Sequence, residues 1–340
     1  INEIKSLPPS SYLKFLNGKL KIQKYNSKIF QKNCKNISDI SKTYNVVYKS
    51  ILSRNLSDAP VGSFLSGGID SSLVTKISLE KNRNLKTYTV AFEDLKDPYN
   101  SESIDESLLA KEFAKKLKIS NTTIYANSKN LKKEFKYLSR KMDQPMAISS
   151  AIGISMVARR AKKDGVKVLL SGDGADEMFC GYDWYKYIQK ILNYKNDSKQ
   201  YNRNTSFQIT EKKDENFFKN LSCYNNSKLG WALHYYASEQ DKLSIFSKDF
   251  SEDKRSSLRF FKSLEKKNIN PIDFIKHDRN FYLNNEMLFK LDRCTMLHSI
   301  ESRSPFTSSM VSNYIKNLKI DTLMKNNTLK YLIKKAFKKY

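Results

Sequence analysis

No stretch of this sequence approaches the roughly 18 consecutive apolar residues that a membrane-spanning helix needs, so no such span is expected. Histidine is scarce. The three present, His234, His277 and His298, form no His-Glu-x-x-His pairing, which argues against a zinc site. The four cysteines, Cys34, Cys180, Cys223 and Cys294, show neither Cys-x-x-Cys spacing nor the density of a secreted disulfide framework. They read as free thiols in a reducing cytoplasm. Acidic residues are the minority charge, 35 against 61 Lys and Arg, leaving a net charge of +26. Such an excess suits a nucleic-acid partner, yet an Arg-rich block and an RNP-type aromatic motif are both missing. The lysines are scattered in pairs such as Lys115-Lys116, Lys132-Lys133 and Lys162-Lys163. A Lys- and Asn-rich composition spread over solvated helices is the better account. The first residue is Ile and no charged-then-apolar leader follows it, so the chain is expected to derive from something longer.

What is present suits a sizeable core: 340 residues, 39% hydrophobic, with 20 Tyr and 19 Phe. That length accommodates one large domain, or a catalytic domain with an appended lobe. Pro8-Pro9 and then Asn17-Gly18 between two short runs predict a linker carrying a small hairpin over residues 1–36. Ile40, Tyr44, Val47, Tyr48, Ile51 and Leu52 recur at helical spacing, predicting about four helical turns before Pro60. Strands are then expected at Val61 to Leu65, Lys86 to Phe92, Thr122 to Ala126 and Val166 to Leu170. Helices are expected between them, over Ser71 to Leu79, Ile104 to Leu117, Leu131 to Met142 and Ile148 to Lys163. Alternation of this kind predicts an α/β fold, a Rossmann-like parallel sheet with helices on both faces. A polar stretch at about 194–228 reads as an insertion. Beyond it Trp231, Leu233, Tyr235 to Ala237 and Phe274 to Leu291 predict a helical C-terminal lobe.

Two glycine-rich segments follow predicted strands, where ligands of parallel sheets bind. In Ser66-Gly67-Gly68-Ile69-Asp70-Ser71-Ser72, small residues let backbone N–H groups approach an anion at a helix N-terminus. A Walker A loop would add a lysine to reach the β- and γ-phosphates. Its absence disfavours simple γ-phosphate hydrolysis. Asp70 instead stands where a carboxylate binds phosphate-held Mg²⁺; an ordinary turn with an Asp-Ser helix cap is the plainer alternative. The second segment runs Ser171-Gly172-Asp173-Gly174-Ala175-Asp176-Glu177. Its three acids sit on one side of a turn, either to hold a metal or act on the reacting group, or simply to cap a helix.

With those residues in view, Ser66–Ser72 resembles the PP-loop of the ATP pyrophosphatases, a group that includes GMP synthetase, NAD synthetase and tRNA-modifying enzymes. Leu169–Tyr182 and Leu291–Phe306 resemble two segments of the asparagine synthetases, specifically their C-terminal synthetase domain. The resemblance runs in order from about Pro60 to Lys335 and implies an ATP-pyrophosphatase domain over 37–340. Ser66, Gly67, Gly68, Asp70, Ser71 and Ser72 would bind the pyrophosphate part of ATP. Phe64, Leu65, Val90, Ser171 and Gly172 would line the adenosine pocket, largely through backbone groups. Asp70 and Asp176 would hold Mg²⁺, and Asp70, Asp173 and Asp176 would form the catalytic set. Asp143, Asp173 and Glu177 would face the amino-acid substrate. Asp105 and Glu106 resemble an acidic pair of the family, with helix-start capping the simpler account. Asp292, Arg293, Glu301 and Arg303 resemble family residues too; for Glu301 and Arg303 an ion pair joining lobe to sheet is favoured.

The reaction implied converts aspartate to asparagine through a β-aspartyl-AMP intermediate, using ATP and releasing AMP and pyrophosphate. Other family-like readings are amidation of a surface-polysaccharide precursor or another carboxylic acid, or a tRNA-modifying PP-loop enzyme. Two departures stand out. No N-terminal cysteine is present to hydrolyse glutamine, so ammonia would come from a missing N-terminal glutaminase domain. The late Lys-Lys-x-x-F element that neutralises pyrophosphate is expected beyond Tyr340, making the chain truncated and weakly active by itself. Cys180 replaces a position that is usually Gly in the family. A soluble cytoplasmic protein, with a homodimer among its assemblies, completes the expectation.

Overall fold

Asn17 and Gly18 both take positive φ, 48° and 73°, the conformation a tight two-residue hairpin turn requires. They join β1 (Ser11–Leu16) to β2 (Lys19–Lys24), which pair antiparallel with Leu16 opposite Lys19. The computed structural model describes residues 4–25, 40–92, 106–144, 148–186, 271–316, 318–326 and 328–340. Two compact units divide the chain: Ile1–Cys180 with Phe281–Tyr340, and Gly181–Asn280.

In the first unit, helix α1 (Ile40–Ser53) buries Thr43, Val47, Ser50 and Ile51. Two of those are polar, and both find partners: Thr43 Oγ1 meets Tyr314 Oη at 2.7 Å, and Ser50 Oγ donates to Pro305 O at 2.6 Å. The strand–helix alternation then follows closely what the sequence predicts. It runs β3 (Val61–Phe64), α2 (Ile69–Ser78), β4 (Lys86–Phe92), α3 (Glu106–Leu117) and β5 (Asn121–Ala126). Next come α4 (Ser128–Lys141), α5 (Ser150–Lys163), β6 (Val168–Leu170) and α6 (Ala175–Phe179). After α7 (Pro271–His277) and a π-helical stretch (Asp278–Met287), α8 (Leu288–Met296) leads into β7 (Glu301–Arg303). A 3₁₀ turn (Pro305–Thr307), α9 (Ser309–Ile315), α10 (Ile320–Leu323) and α11 (Tyr331–Ala336) complete the chain.

Five strands form one sheet in the order β5-β4-β3-β6-β7, every pair parallel. From β3 the chain moves outward through β4 to β5, then returns to place β6 on the other side of β3. Right-handed crossovers taken in opposite directions put α2 and α3 on one face and α5 on the other. The core matches: Tyr88, Val157, Ala158, Ala161, Val166, Leu169 and Ile300 form one cluster, and Leu65, Ala110 and Ala114 another. Alanines at the helix surfaces allow close approach to the sheet. A buried polar knot ties α4, α5 and the segment after α8: Ser155 Oγ donates to Glu134 Oε1 at 2.5 Å and meets His298 Nε2 at 2.8 Å. Arg159 Nη2 pairs with Glu134 at 2.8 Å.

Strand β7 is an addition that the sequence pattern does not announce. Within the second unit, Tyr185 and Trp184 donate to Asp278 Oδ2 at 2.5 and 3.2 Å. The insertion read at 194–228, and Trp231, Leu233 and Tyr235–Ala237, lie outside the described residues, as do Asp105, Cys34 and Cys223. Cys180 and Cys294 are both buried. Among the described residues no helix is long and apolar enough to cross a membrane.

Candidate active site

The strand order reverses between β3 and β6, and both glycine-rich loops leave the carboxyl ends of those two adjacent strands. A crevice opens at such a reversal. The loops touch directly. A Cβ added at Gly172 would lie 2.9 Å from Asp70 Cβ and 3.0 Å from Ser71 N, so only glycine permits this approach. Gly67 combines φ +73° with a Cβ position 2.6 Å from Leu109 Cβ, which explains glycine there twice over. The loop is stapled internally: Ser71 Oγ accepts from Ser66 N at 3.1 Å and donates to Gly68 O at 3.2 Å. Gly68, the N-cap of α2, has no side-chain cap, leaving the leading N–H groups of a ten-residue helix to face an anion.

Between the loops stands a cation that the first motif lacks. Lys330 Nζ donates to Asp70 Oδ2 at 2.5 Å and pairs with Asp176 Oδ1 at 2.6 Å. It comes from 260 residues along the chain. Its backbone is in the left-handed region, φ +52°, and its N–H donates to Cys180 O at 3.1 Å. Cys180 ends α6 with φ +57°, a conformation that suits the glycine expected there. Two non-glycine residues strained side by side mark a place where the surrounding structure dictates conformation. A lysine that sequence reasoning did not single out thus stands between the two loops, whatever further basic element the family resemblance implies.

Charge balance follows from this arrangement. Burial pushes the Asp70 carboxyl up to about 6, with Asp176 and Asp173 adding to the rise and Lys330 opposing it. Burial works against the Lys330 ammonium, but Asp70 and Asp176 outweigh it and hold the group above an ordinary lysine. One cation shared by two acids explains why the lysine gains from the contact while Asp70 remains a costly charge. Among the described residues no group of three or more His, Cys, Asp or Glu is arranged to hold a metal. Asp70 Oδ1, however, is buried without a hydrogen-bond partner. That free acceptor beside Asp176 fits a hard cation that takes one or two carboxylates and completes its shell from phosphates and water.

The other expected residues divide. Asp173 receives Ser171 Oγ on Oδ2 and donates its own N–H to Ser171 Oγ at 3.0 Å, so both stay in the second loop beside Asp70. Glu177 is buried in α6, 1% exposed, while Asp176 is a third exposed. Asp143 is exposed and pairs with Arg293 at 3.7 Å. Leu65 cannot offer its backbone N–H to adenosine, because that group donates to Tyr88 O at 2.9 Å; its carbonyl accepts from Thr89 Oγ1 at 2.6 Å. Phe64 and Val90 are partly buried against the α5-side core, where Gly153 would place a Cβ 3.5 Å from Val90. Glu301 and Arg303 do pair, at 2.7 Å, along β7. Arg303 also donates to the carbonyls of Arg54 and Leu56 at 3.0 and 2.7 Å, and its own carbonyl accepts from Ser171 N at 2.9 Å. Strand β7 thus holds the second loop in place from the sheet edge.

The sequence is similar to those of known proteins. Asparagine synthetase [glutamine-hydrolyzing] 1 of Bacillus subtilis (strain 168) is 29% identical over 303 residues, covering 87% of this chain and 46% of that protein. Asparagine synthetase [glutamine-hydrolyzing] 3 of the same organism is 25% identical over 344 residues, covering 98% and 51%. The chain spans about half the length of the curated relatives it matches. Among solved structures, an NH3-dependent NAD synthetase from Campylobacter jejuni superposes over 68% of this chain and 100% of that one (12% identity, TM-score 0.30). NMN synthetase from Francisella tularensis does so over 73% and 97% (13% identity, TM-score 0.34). Superpositions that loose carry nothing about the chemistry. The asparagine synthase family model, by contrast, matches residues 42–340, and the chain belongs to that family.

Proposed function

We propose that this chain carries the ATP-dependent, amide-forming half of an asparagine-synthetase-type enzyme. The observation that supports it most is the Lys330–Asp70–Asp176 cluster at the uncapped start of α2, between two glycine loops. The side-chain carboxylate of aspartate attacks the α-phosphorus of ATP. A carboxylate oxygen–phosphorus bond forms, the bond to the bridging oxygen breaks, and pyrophosphate leaves. Lys330, the leading N–H groups of α2 and the hydroxyls of Ser66 and Ser72 face the charge that develops on the leaving group. Ser71 keeps the loop in the shape that presents them. Asp70 and Asp176 would hold Mg²⁺, which supplies neutralisation of phosphate charge when bound. Ammonia then attacks the acyl carbon and AMP departs. Asp173, beside Ser171, is the proposed acceptor for the proton the amine gives up. Nitrogen would come from glutamine hydrolysis in a separate domain.

The test incubates the full-length protein with ATP, Mg²⁺, ammonia and single acids, following pyrophosphate and AMP. Aspartate-dependent release is expected. Release with a different acid alone would reassign the substrate, and none with any acid would overturn the proposal.

A further inference from the structure

Lys330 stands at the N-cap of α11, a helix of six residues, too short to hold a position by itself. A cation at a helix N-terminus also opposes the helix dipole. What holds the far end of α11 therefore matters for where Lys330 points. That far end, Phe337 to Tyr340, packs on an aromatic face of α1. Tyr44 lies 5.0 Å from Phe337, 6.1 Å from Tyr340 and 5.4 Å from Tyr48, ring centre to ring centre. Lys76 of α2 sits over the Tyr340 ring at 4.4 Å. Glu80, just past the end of α2, accepts from Tyr48 Oη on Oε2 at 2.5 Å and from Tyr340 Oη on Oε1. Ten residues separate Asp70 from Glu80, and ten separate Lys330 from Tyr340. The two segments are thus tied at both ends in the same register: Asp70 to Lys330 at the crevice, Glu80 to Tyr340 at the surface.

We propose that Glu80, with Tyr48 and Tyr340, is a positioning clasp that sets Lys330 against the leaving pyrophosphate. This rests on the reading above that Lys330 meets that group. Glu80 touches no reacting atom. It acts by stopping the segment 337–340 from slipping along α2, a movement that would displace Lys330 from Asp70 and Asp176. The hydrogen bonds from Tyr340 and Tyr48 hold the Glu80 carboxyl below its usual range, in keeping with an ionised acceptor. Glu80 is exposed, so its loss costs the fold little. A purely structural role would therefore leave kinetics untouched.

The experiment compares Glu80→Gln, Tyr48→Phe, Lys330→Met and the double variant Glu80→Gln/Lys330→Met in the full-length enzyme. Glu80→Gln is expected to raise KM for ATP and the inhibition constant of pyrophosphate together, by roughly threefold to tenfold. KM for the acid substrate and Tm should stay near wild type, and Tyr48→Phe should show a smaller version of the same split. In the Lys330→Met background Glu80→Gln should add nothing, the non-additivity expected of one pathway. A Glu80→Gln variant with unchanged ATP and pyrophosphate constants, or fully additive effects, overturns the clasp alone. A Lys330→Met enzyme with wild-type kinetics overturns the reading of Lys330 on which it rests.

Discussion

Replacing Asp70 by Asn should make the ligand-free protein more stable while removing its chemistry. Asp70 is 15% exposed, shares the Lys330 cation with Asp176, and leaves Oδ1 unsatisfied. Its carboxyl is raised from 3.8 to about 6, chiefly by burial. For an acid raised in the fold, the native state binds more protons than the unfolded state between those two values. Stability from this group is therefore intact below about 3.8 and declines as pH rises through about 6. The full decline is about 3 kcal/mol at neutral pH, taking 1.36 kcal/mol per pH unit. Asparagine keeps the shape without the charge, and Lys330 retains Asp176 as partner. The Asn variant minus wild-type stability should thus be near zero at pH 4 and climb towards up to about 3 kcal/mol at pH 7.5, several degrees in Tm. Denaturant titrations across that range, with pyrophosphate release measured on the same samples, provide the assay. A variant no more stable at pH 7.5 than at pH 4, relative to wild type, would refute the buried-charge argument. Near-normal pyrophosphate release would refute the catalytic assignment.

Other perturbations discriminate site from scaffold. Gly172→Ala forces a methyl group against the Asp70 and Ser71 backbone; a loss of about 1–3 kcal/mol in unfolding free energy and of most pyrophosphate release is expected. Glu134→Ala leaves Arg159 and Ser155 without their shared carboxylate, and because Arg159 is partly solvated the cost should be about 2 kcal/mol, read by thermal melts, with KM for ATP unchanged. Arg303→Lys loses the forked contacts to Glu301 and the Arg54 and Leu56 carbonyls; about 1 kcal/mol of stability should go, with a modest fall in kcat.

The sheet was legible because buried parallel strands are written as continuous apolar or β-branched runs. Val61–Phe64 and Lys86–Phe92 are found where that rule places them. Each glycine loop follows its strand directly, so the sequence places both loops at the carboxyl end of the sheet. Strand β7 was not legible: Glu-Ser-Arg is three polar residues at a sheet edge, with no alternation to read. Lys330 was missed for a different reason. It is one of 61 basic residues and lies 260 positions from its partner. The available signal was weak but physical: a lysine immediately before the amphipathic run Tyr331–Ala336, against the dipole of the helix it begins. Leu65 shows the converse limit, since sequence marks it as pocket-lining but cannot tell that strand β4 already uses its backbone.

Attack of the substrate carboxylate on the α-phosphorus leaves a trace that no other use of ATP leaves. When the amide forms, one carboxylate oxygen stays on AMP. The decisive measurement supplies the full-length enzyme with ATP, Mg²⁺, ammonia and aspartate carrying isotopically heavy oxygen in its side-chain carboxylate, then weighs the nucleotide product by mass spectrometry. AMP bearing one heavy oxygen atom, formed by wild type and not by the Asp70→Asn variant, is the predicted result. Unlabelled AMP, or ADP with labelled phosphate, would contradict the account.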